Sequence, residues 1–178
     1  MKSYYTQPHQ RQQLLTEASR WEGTPYAHLG RVAGAYGGVG CVWHTVALHS
    51  ATGALEGFDA SSIPNYTDDW SQHNRVSLLE STLIDLGFIE RIDGELRGVD
   101  GVMEVVLHFT ELMFGDVIVF APGFVTHHFG TVLQSRNYQQ ALKPRGVVTN
   151  SLDLPFRHKN QIRWPKDWFA YGLRFKLQ

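Results

Sequence analysis

The hydrophobic period of this chain changes once, from helical in its first half to alternating in its second, and that change limits the fold more than any other feature. Leu14, Leu15, Ala18 and Trp21 recur at helical spacing, so residues from about His9 to Trp21 read as an amphipathic helix that Gly23-Thr24-Pro25-Tyr26 ends. The stretch from Gly30 to Gly40 carries five glycines and reads as loop. From Cys41 to about Ser50 the pattern is helical and strongly apolar through Val42, Trp43, Val46, Ala47 and Leu48, with Cys41 in the first turn. Residues 52 to 75 are polar and irregular, and Ser77 to Leu86 gives a short helix that Gly87 closes. Beyond it, Val117-Ile118-Val119-Phe120 reads as a buried strand, Pro122-Gly123 as a turn, and Thr126 to Leu133 as the returning strand. Thr126, His128, Gly130 and Val132 share one face of that strand; His127, Phe129, Thr131 and Leu133 share the other. Tyr138 to Leu142 and Val147-Val148-Thr149 continue the meander, and Trp168 to Phe175 supplies a final strand. Helices first and an antiparallel sheet afterwards predict an α+β fold rather than a wound parallel sheet.

A chain of 178 residues with 43% hydrophobic residues can bury the core of one domain, and a single domain over residues 1–178 is expected. Sixteen basic and 17 acidic residues leave a net charge of −1, which gives no electrostatic reason to expect nucleic acid or an anionic membrane as partner. One cysteine cannot form an internal disulfide, and Met1-Lys2-Ser3-Tyr4-Tyr5-Thr6-Gln7 lacks the apolar core of a signal peptide, so synthesis in the cytoplasm is expected. No apolar run reaches the length of a membrane span.

Cys41 stands where Gly37-Gly38-Val39-Gly40 runs into the apolar helix. A thiol there meets unsatisfied backbone N–H groups and the positive end of the helix dipole, both of which favour the nucleophilic thiolate. Such a nucleophile needs a base and a polar group to orient it. His128 is the natural base, with Gly130 two residues on leaving room for the Cys41 helix. Gln139, Gln140 and Asn150 are the orienting candidates, because a neutral amide accepts a hydrogen bond from imidazole. His44, three residues after Cys41, shares its helix face and is second choice as the thiol's partner. No HxxxH or HExxH occurs, and Cys41/His44 lacks a second ligand pair, so neither a metal nor another cofactor is expected. A Gly-x-Ser-x-Gly elbow is also missing.

The order of these features resembles the NlpC/P60 superfamily of papain-like cysteine peptidases, in its phage- and prophage-associated form. Trp21-Glu22-Gly23-Thr24-Pro25-Tyr26 is similar to that family's opening Gly-Thr-Pro-Tyr motif, and Gly38-Val39-Gly40-Cys41 to its Gly-Val-Asp-Cys nucleophile turn. Gly115-Asp116-Val117-Ile118-Val119-Phe120 and His128-Phe129-Gly130-Thr131-Val132-Leu133 resemble the two strands around its histidine. Pro64-Asn65-Tyr66-Thr67-Asp68-Asp69-Trp70 resembles the insert of phage-type members. The resemblance implies a circularly permuted papain core, with a nucleophile helix packed on an antiparallel sheet, that hydrolyses amide bonds in bacterial cell-wall peptides. It implies Cys41 as nucleophile, His128 as base and Gln140 in the third polar position, commonly His in the family. Tyr26 would line the cleft, and Gly40 and Trp43 would border the substrate's amino-terminal side. The implied partner is a peptidoglycan stem peptide, with phage-tail proteins as further partners and the wall reached from a virion or through lysis.

Two positions depart from the pattern: Gly40 replaces Asp before the nucleophile, and Val42-Trp43-His44 replaces small residues after it. They define the alternatives, which are a noncatalytic phage-tail or wall-binding module on the same fold, or a thiol hydrolase of another amide or a thioester.

Overall fold

The computed structural model describes residues 3–63, 65–67, 78–92, 95–99, 102–106, 112–121, 128–158 and 161–177. The first helix, α1 (Pro8–Trp21), starts with a proline in its first turn, where a missing N–H costs nothing, and the Gln7 N–H donates to Gln10 Oε1 at 3.1 Å. Leu14, Ala18 and Trp21 of the predicted face are buried, joined by Gln10, while Leu15 is only half-buried. The glycine-rich stretch is more ordered than a plain loop: β1 (Arg31–Val32) and β2 (Gly38–Val39) pair antiparallel, with Arg31 opposite Val39. Next comes α2 (Cys41–Ala51), in which Val42 to Val46, Leu48 and His49 are all buried. A helix enclosed on nearly every side draws on the apolar Val42, Trp43, Val46 and Leu48, and its buried His44, Thr45 and His49 are hydrogen-bonded.

After a 3-10 turn at Ala60–Ser62, α3 (Leu78–Asp85) ends at Gly87, whose φ of +78° suits a glycine that closes a helix. Three strands follow: β3 (Ile89–Ile92), and β4 (Glu95–Val99) paired with β5 (Val102–Val106). The main sheet then takes β6 (Val117–Phe120), β7 (His128–Val132), β8 (Asn137–Leu142) and β9 (Gly146–Ser151). A small hairpin of β10 (Phe156–His158) and β11 (Gln161–Arg163) precedes α4 (Pro165–Trp168) and β12 (Phe169–Phe175). The hairpins β4–β5 and β10–β11, the strand β3 and α4 were not foreseen from the sequence pattern.

Among the described residues, six strands form one antiparallel sheet in the order β3-β12-β6-β7-β8-β9. The last strand therefore lies inside the sheet, between β3 and β6. The N-terminal segment closes on it: Ser3 bridges Lys176, and the Tyr4 N–H donates to Phe175 O at 2.9 Å. Helices in the first part and an antiparallel sheet in the second make the fold α+β.

One face of the sheet, through Val117, Val119, Phe129 and Ala141, joins α1 and α2 in the larger core. The other face carries a smaller cluster of Ile118, Phe120, Val132, Tyr138 and Leu152. This corrects the expected role of Gly130. A methyl group there would lie 2.8 Å from Tyr138 Cδ2 and 3.3 Å from Phe120 Cε2, so the glycine makes room for two rings on the face away from α2, not for the Cys41 helix. The expected turn at Pro122-Gly123, the strand start at Thr126 and His127, and Pro64, Asp68, Asp69 and Trp70 of the insert lie outside the described residues.

Candidate active site

The approach to Cys41 is pinned by backbone. The Val39 N–H donates to Pro25 O at 3.0 Å, the Ala27 N–H to Val39 O at 3.1 Å, and Tyr26 forms a parallel bridge with Val39. Gly40 is extended and caps α2, and its carbonyl accepts the His44 N–H at 2.9 Å. A Cβ at Gly40 would collide with His28 O and crowd Ala27 O at 3.4 Å, so the 27–28 backbone occupies the place of any side chain there.

Cys41 is half-buried at the start of α2. Burial pushes its thiol up to about 11, opposed first by the backbone N–H of Phe129 and then by those of Val42 and Cys41 itself. The helix terminus thus acts as expected but is outweighed by desolvation, which corrects the reading that the thiolate is favoured by position alone. The Phe129 N–H that serves the sulfur belongs to the residue next to His128.

His128 is buried at the start of β7, its ring centroid 5.9 Å from that of Phe120. Gln140, paired in β8 with Gly130, places Oε1 at 2.7 Å from His128 Nε2. Its Nε2 donates to Asn150 Oδ1 at 3.0 Å and to the Tyr138 hydroxyl at 3.3 Å. With that amide nitrogen donating, Oε1 accepts from the His128 Nε2–H, and Nδ1 is left as the basic nitrogen. Gln140 and Asn150 thus belong to one network, Gln140 touching the imidazole and Asn150 supporting Gln140.

Gln139 serves a different histidine on the opposite face. Its Oε1 lies 3.0 Å from His44 Nε2, and its Nε2 donates to Ala18 O at 2.9 Å and to Glu22 Oε2 at 2.8 Å. A carbonyl only accepts, so the Ala18 contact fixes the amide and puts the proton on His44 Nε2. Burial lowers His44 to about 4, against the Gln139 hydrogen bond and with a further lowering from His128. His49, which sequence reasoning missed, is lowered by burial to about 3. Its Nδ1 lies 2.6 Å from the Tyr5 hydroxyl, its Nε2 lies 3.3 Å from Thr131 Oγ1, and its ring stacks on Phe175 at 4.0 Å. Its place eight residues after Cys41 on an enclosed helix was the available signal.

Tyr26 is half-buried beside β2, with Lys143 Nζ 5.9 Å from its ring centroid. Trp43 is buried, and the Arg31 guanidinium covers its ring at 3.4 Å. Among the described residues no group of three or more His, Cys, Asp and Glu side chains gathers as a metal site.

No protein-family model and no curated protein matches the chain. Solved structures do. An NLP/P60-family protein similar to a lipoprotein from Staphylococcus aureus superposes with a TM-score of 0.55 at 15% identity, covering 100% of this chain and 45% of its own. An NlpC/P60-family protein from Bacillus cereus superposes with a TM-score of 0.50 at 16% identity, covering 93% of this chain and 40% of its own. The chain therefore spans less than half the length of either, and what they share with it is the mixed helix and antiparallel-sheet fold.

Proposed function

We propose that this chain is a cysteine hydrolase of the NlpC/P60 superfamily, built on the permuted papain-like core, that cleaves amide bonds in bacterial cell-wall peptides through Cys41, His128 and Gln140. The observation that supports this most is the 2.7 Å contact of His128 Nε2 with Gln140 Oε1, one residue from the Phe129 N–H that faces the Cys41 sulfur. In this reading His128 Nδ1 takes the thiol proton as the sulfur attacks the substrate carbonyl carbon. The Cys41 N–H and a second donor receive the oxyanion, and His128 returns the proton to the departing amine. Water then hydrolyses the acyl-thioester with the same base. Gln140 keeps the imidazole in the tautomer that makes Nδ1 basic. The resemblance of the Pro64-Asn65-Tyr66-Thr67-Asp68-Asp69-Trp70 sequence to the insert of phage-type members suggests a stem peptide reached from a virion or after lysis as the substrate.

The test is the rate of Cys41 alkylation by iodoacetamide against pH, in the wild type and in His128→Ala. A thiol alone in this environment gains reactivity only as pH rises toward about 11, whereas an imidazole partner adds a reactive fraction near neutral pH. The expected result is a neutral-pH reaction that the mutant loses. Identical profiles would overturn the assignment and favour the second reading, a noncatalytic wall-binding or tail module, to which the raised thiol and the closed Gly40 position both lend support.

A further inference from the structure

The hairpin β1–β2 carries a charged feature that the catalytic reading leaves unused. Arg31 pairs with Val39, two residues before Cys41, and its guanidinium lies 3.4 Å from the ring centroid of Trp43, two residues after Cys41. The cation thus flanks the first turn of the nucleophile helix on its Trp43 side. Stacking on indole holds the guanidinium in place while leaving its N–H fork in the ring plane unspent. Arg31 makes no ion pair among the described residues and is exposed. Among the described residues the buried indole N–H of Trp43 has no hydrogen-bond acceptor.

The surroundings have the same sign. The turn between β8 and β9 brings Lys143 against Tyr26, itself bridged to Val39. The positive end of α2 points the same way. Gly40 has no space for a carboxylate side chain, and Glu22, the acid at the end of α1, is engaged by Gln139 and by the Thr149 N–H and hydroxyl. Nothing acidic in this set neutralises Arg31.

We propose that Arg31, held on Trp43, determines specificity on the hairpin side of the Cys41 thiol by binding a carboxylate of the substrate. The inference rests on the hydrolase reading for its substrate and deepens it. A guanidinium fork matches a carboxylate in two parallel hydrogen bonds, and a prepaid stacked conformation lowers the ordering cost of making them. Substrates with an uncharged amide or a free amine in that position gain nothing from it.

Two thiol reagents of equal size test this without knowledge of the natural substrate: N-iodoacetylglycine, an anion, and its neutral carboxamide. Alkylation of the intact protein is followed at about pH 10, where even a thiol raised to about 11 has begun to ionise. The anion is expected to react roughly five- to tenfold faster than the amide at low salt, the factor of one charge-assisted contact at a partly exposed site. Arg31→Gln brings the ratio to about one and Arg31→Glu below it, while Arg31→Lys retains part of the preference. An unchanged rate with the neutral reagent shows that Arg31→Gln has not disturbed the thiol. A ratio that the three variants leave unaltered, a wild type that prefers the amide, or a thiol that neither reagent reaches would each overturn the proposal. The role of His128 is read separately, from the pH profile of the neutral reagent alone, so either idea can fail without the other.

Discussion

The adjacent residues Gln139 and Gln140 point to opposite faces of β8 and each hold a different histidine, Gln139 at 3.0 Å from His44 and Gln140 at 2.7 Å from His128. The two pairs differ in what surrounds them. Gln139 is anchored to α1 through Ala18 O and Glu22, whereas Gln140 is anchored only within the sheet, by Asn150 and Tyr138. The first pair ties the helices to the sheet. The second orients the His128 imidazole within the sheet and is free of that duty.

Gln140→Ala removes the acceptor of His128 Nε2 and leaves Asn150 and Tyr138 without their shared donor. The expected cost is about 1–3 kcal/mol of stability from the unpaired buried groups. Hydrolytic rate should fall roughly 10- to 100-fold, less than for loss of the base itself, because water can partly replace an orienting group. Gln140→His restores a polar partner and should recover part of the rate. Denaturant melts and kcat/KM for the two variants check both statements, and an unaffected rate in Gln140→Ala would move the orienting role to Asn150.

Cys41→Ala and His128→Ala should each lower hydrolysis by at least about a thousandfold, and the double variant should be little worse than either, since residues that act as one unit are not additive. Cys41 is half-buried and small, so its truncation leaves the thermal midpoint nearly unchanged. Turnover of a cell-wall peptide by all three variants, set beside their melting curves, separates this from general destabilisation.

How far these residues were legible in the sequence depended on whether the signal was local. The helices at 8–21 and 41–51 show their periodicity directly, as do the strands from Val117, Tyr138 and Val147. The residues alone left Gln139, Gln140 and Asn150 open as partners of His128, and only the family resemblance pointed to Gln140. The placement of β12 between β3 and β6 depends on long-range pairing that no local pattern encodes. The partner of Gly130 was misjudged for a related reason: alternation says which residues share a face, but not which face receives the helix. The raised Cys41 thiol escaped notice because a helix terminus is visible in sequence and desolvation is not.

Two buried histidines make the fold sensitive to acid. His44 and His49 are lowered from 6.5 to about 4 and about 3, so between those values and 6.5 the unfolded chain binds protons that the folded chain refuses. Their contribution is complete above about pH 6.5 and is lost as pH falls toward 4 for His44 and 3 for His49. Each costs about 1.4 kcal/mol per pH unit within its window. Unfolding free energy measured from about pH 7 to 4 should therefore carry a component of nearly two protons, with carboxylates adding to it at the acid end. His49→Gln keeps hydrogen-bonding capacity toward Tyr5 and Thr131 and should remove about one proton from the slope. A slope identical to wild type would mean that His49 is protonated in the folded state.

Asp116 and Arg174 form a buried pair, Arg174 Nη2 to Asp116 Oδ2 at 2.7 Å and Nε to Oδ1 at 2.9 Å, joining the start of β6 to β12. Asp116 Oδ2 also accepts the Met113 N–H at 2.7 Å. Burial raises the Asp116 carboxyl, and the Arg174 guanidinium, with the Met113 N–H, opposes that rise. Arg174→Met leaves an uncompensated charge and should cost about 3–5 kcal/mol. Replacing both, as Asp116→Asn with Arg174→Met, should cost less than Arg174→Met alone, because the buried charge is gone while the amide can still accept the Met113 N–H. Urea unfolding of the two variants decides it: a double variant weaker than the single would mean that the pair stabilises through its own attraction and not by sparing Asp116 its isolation.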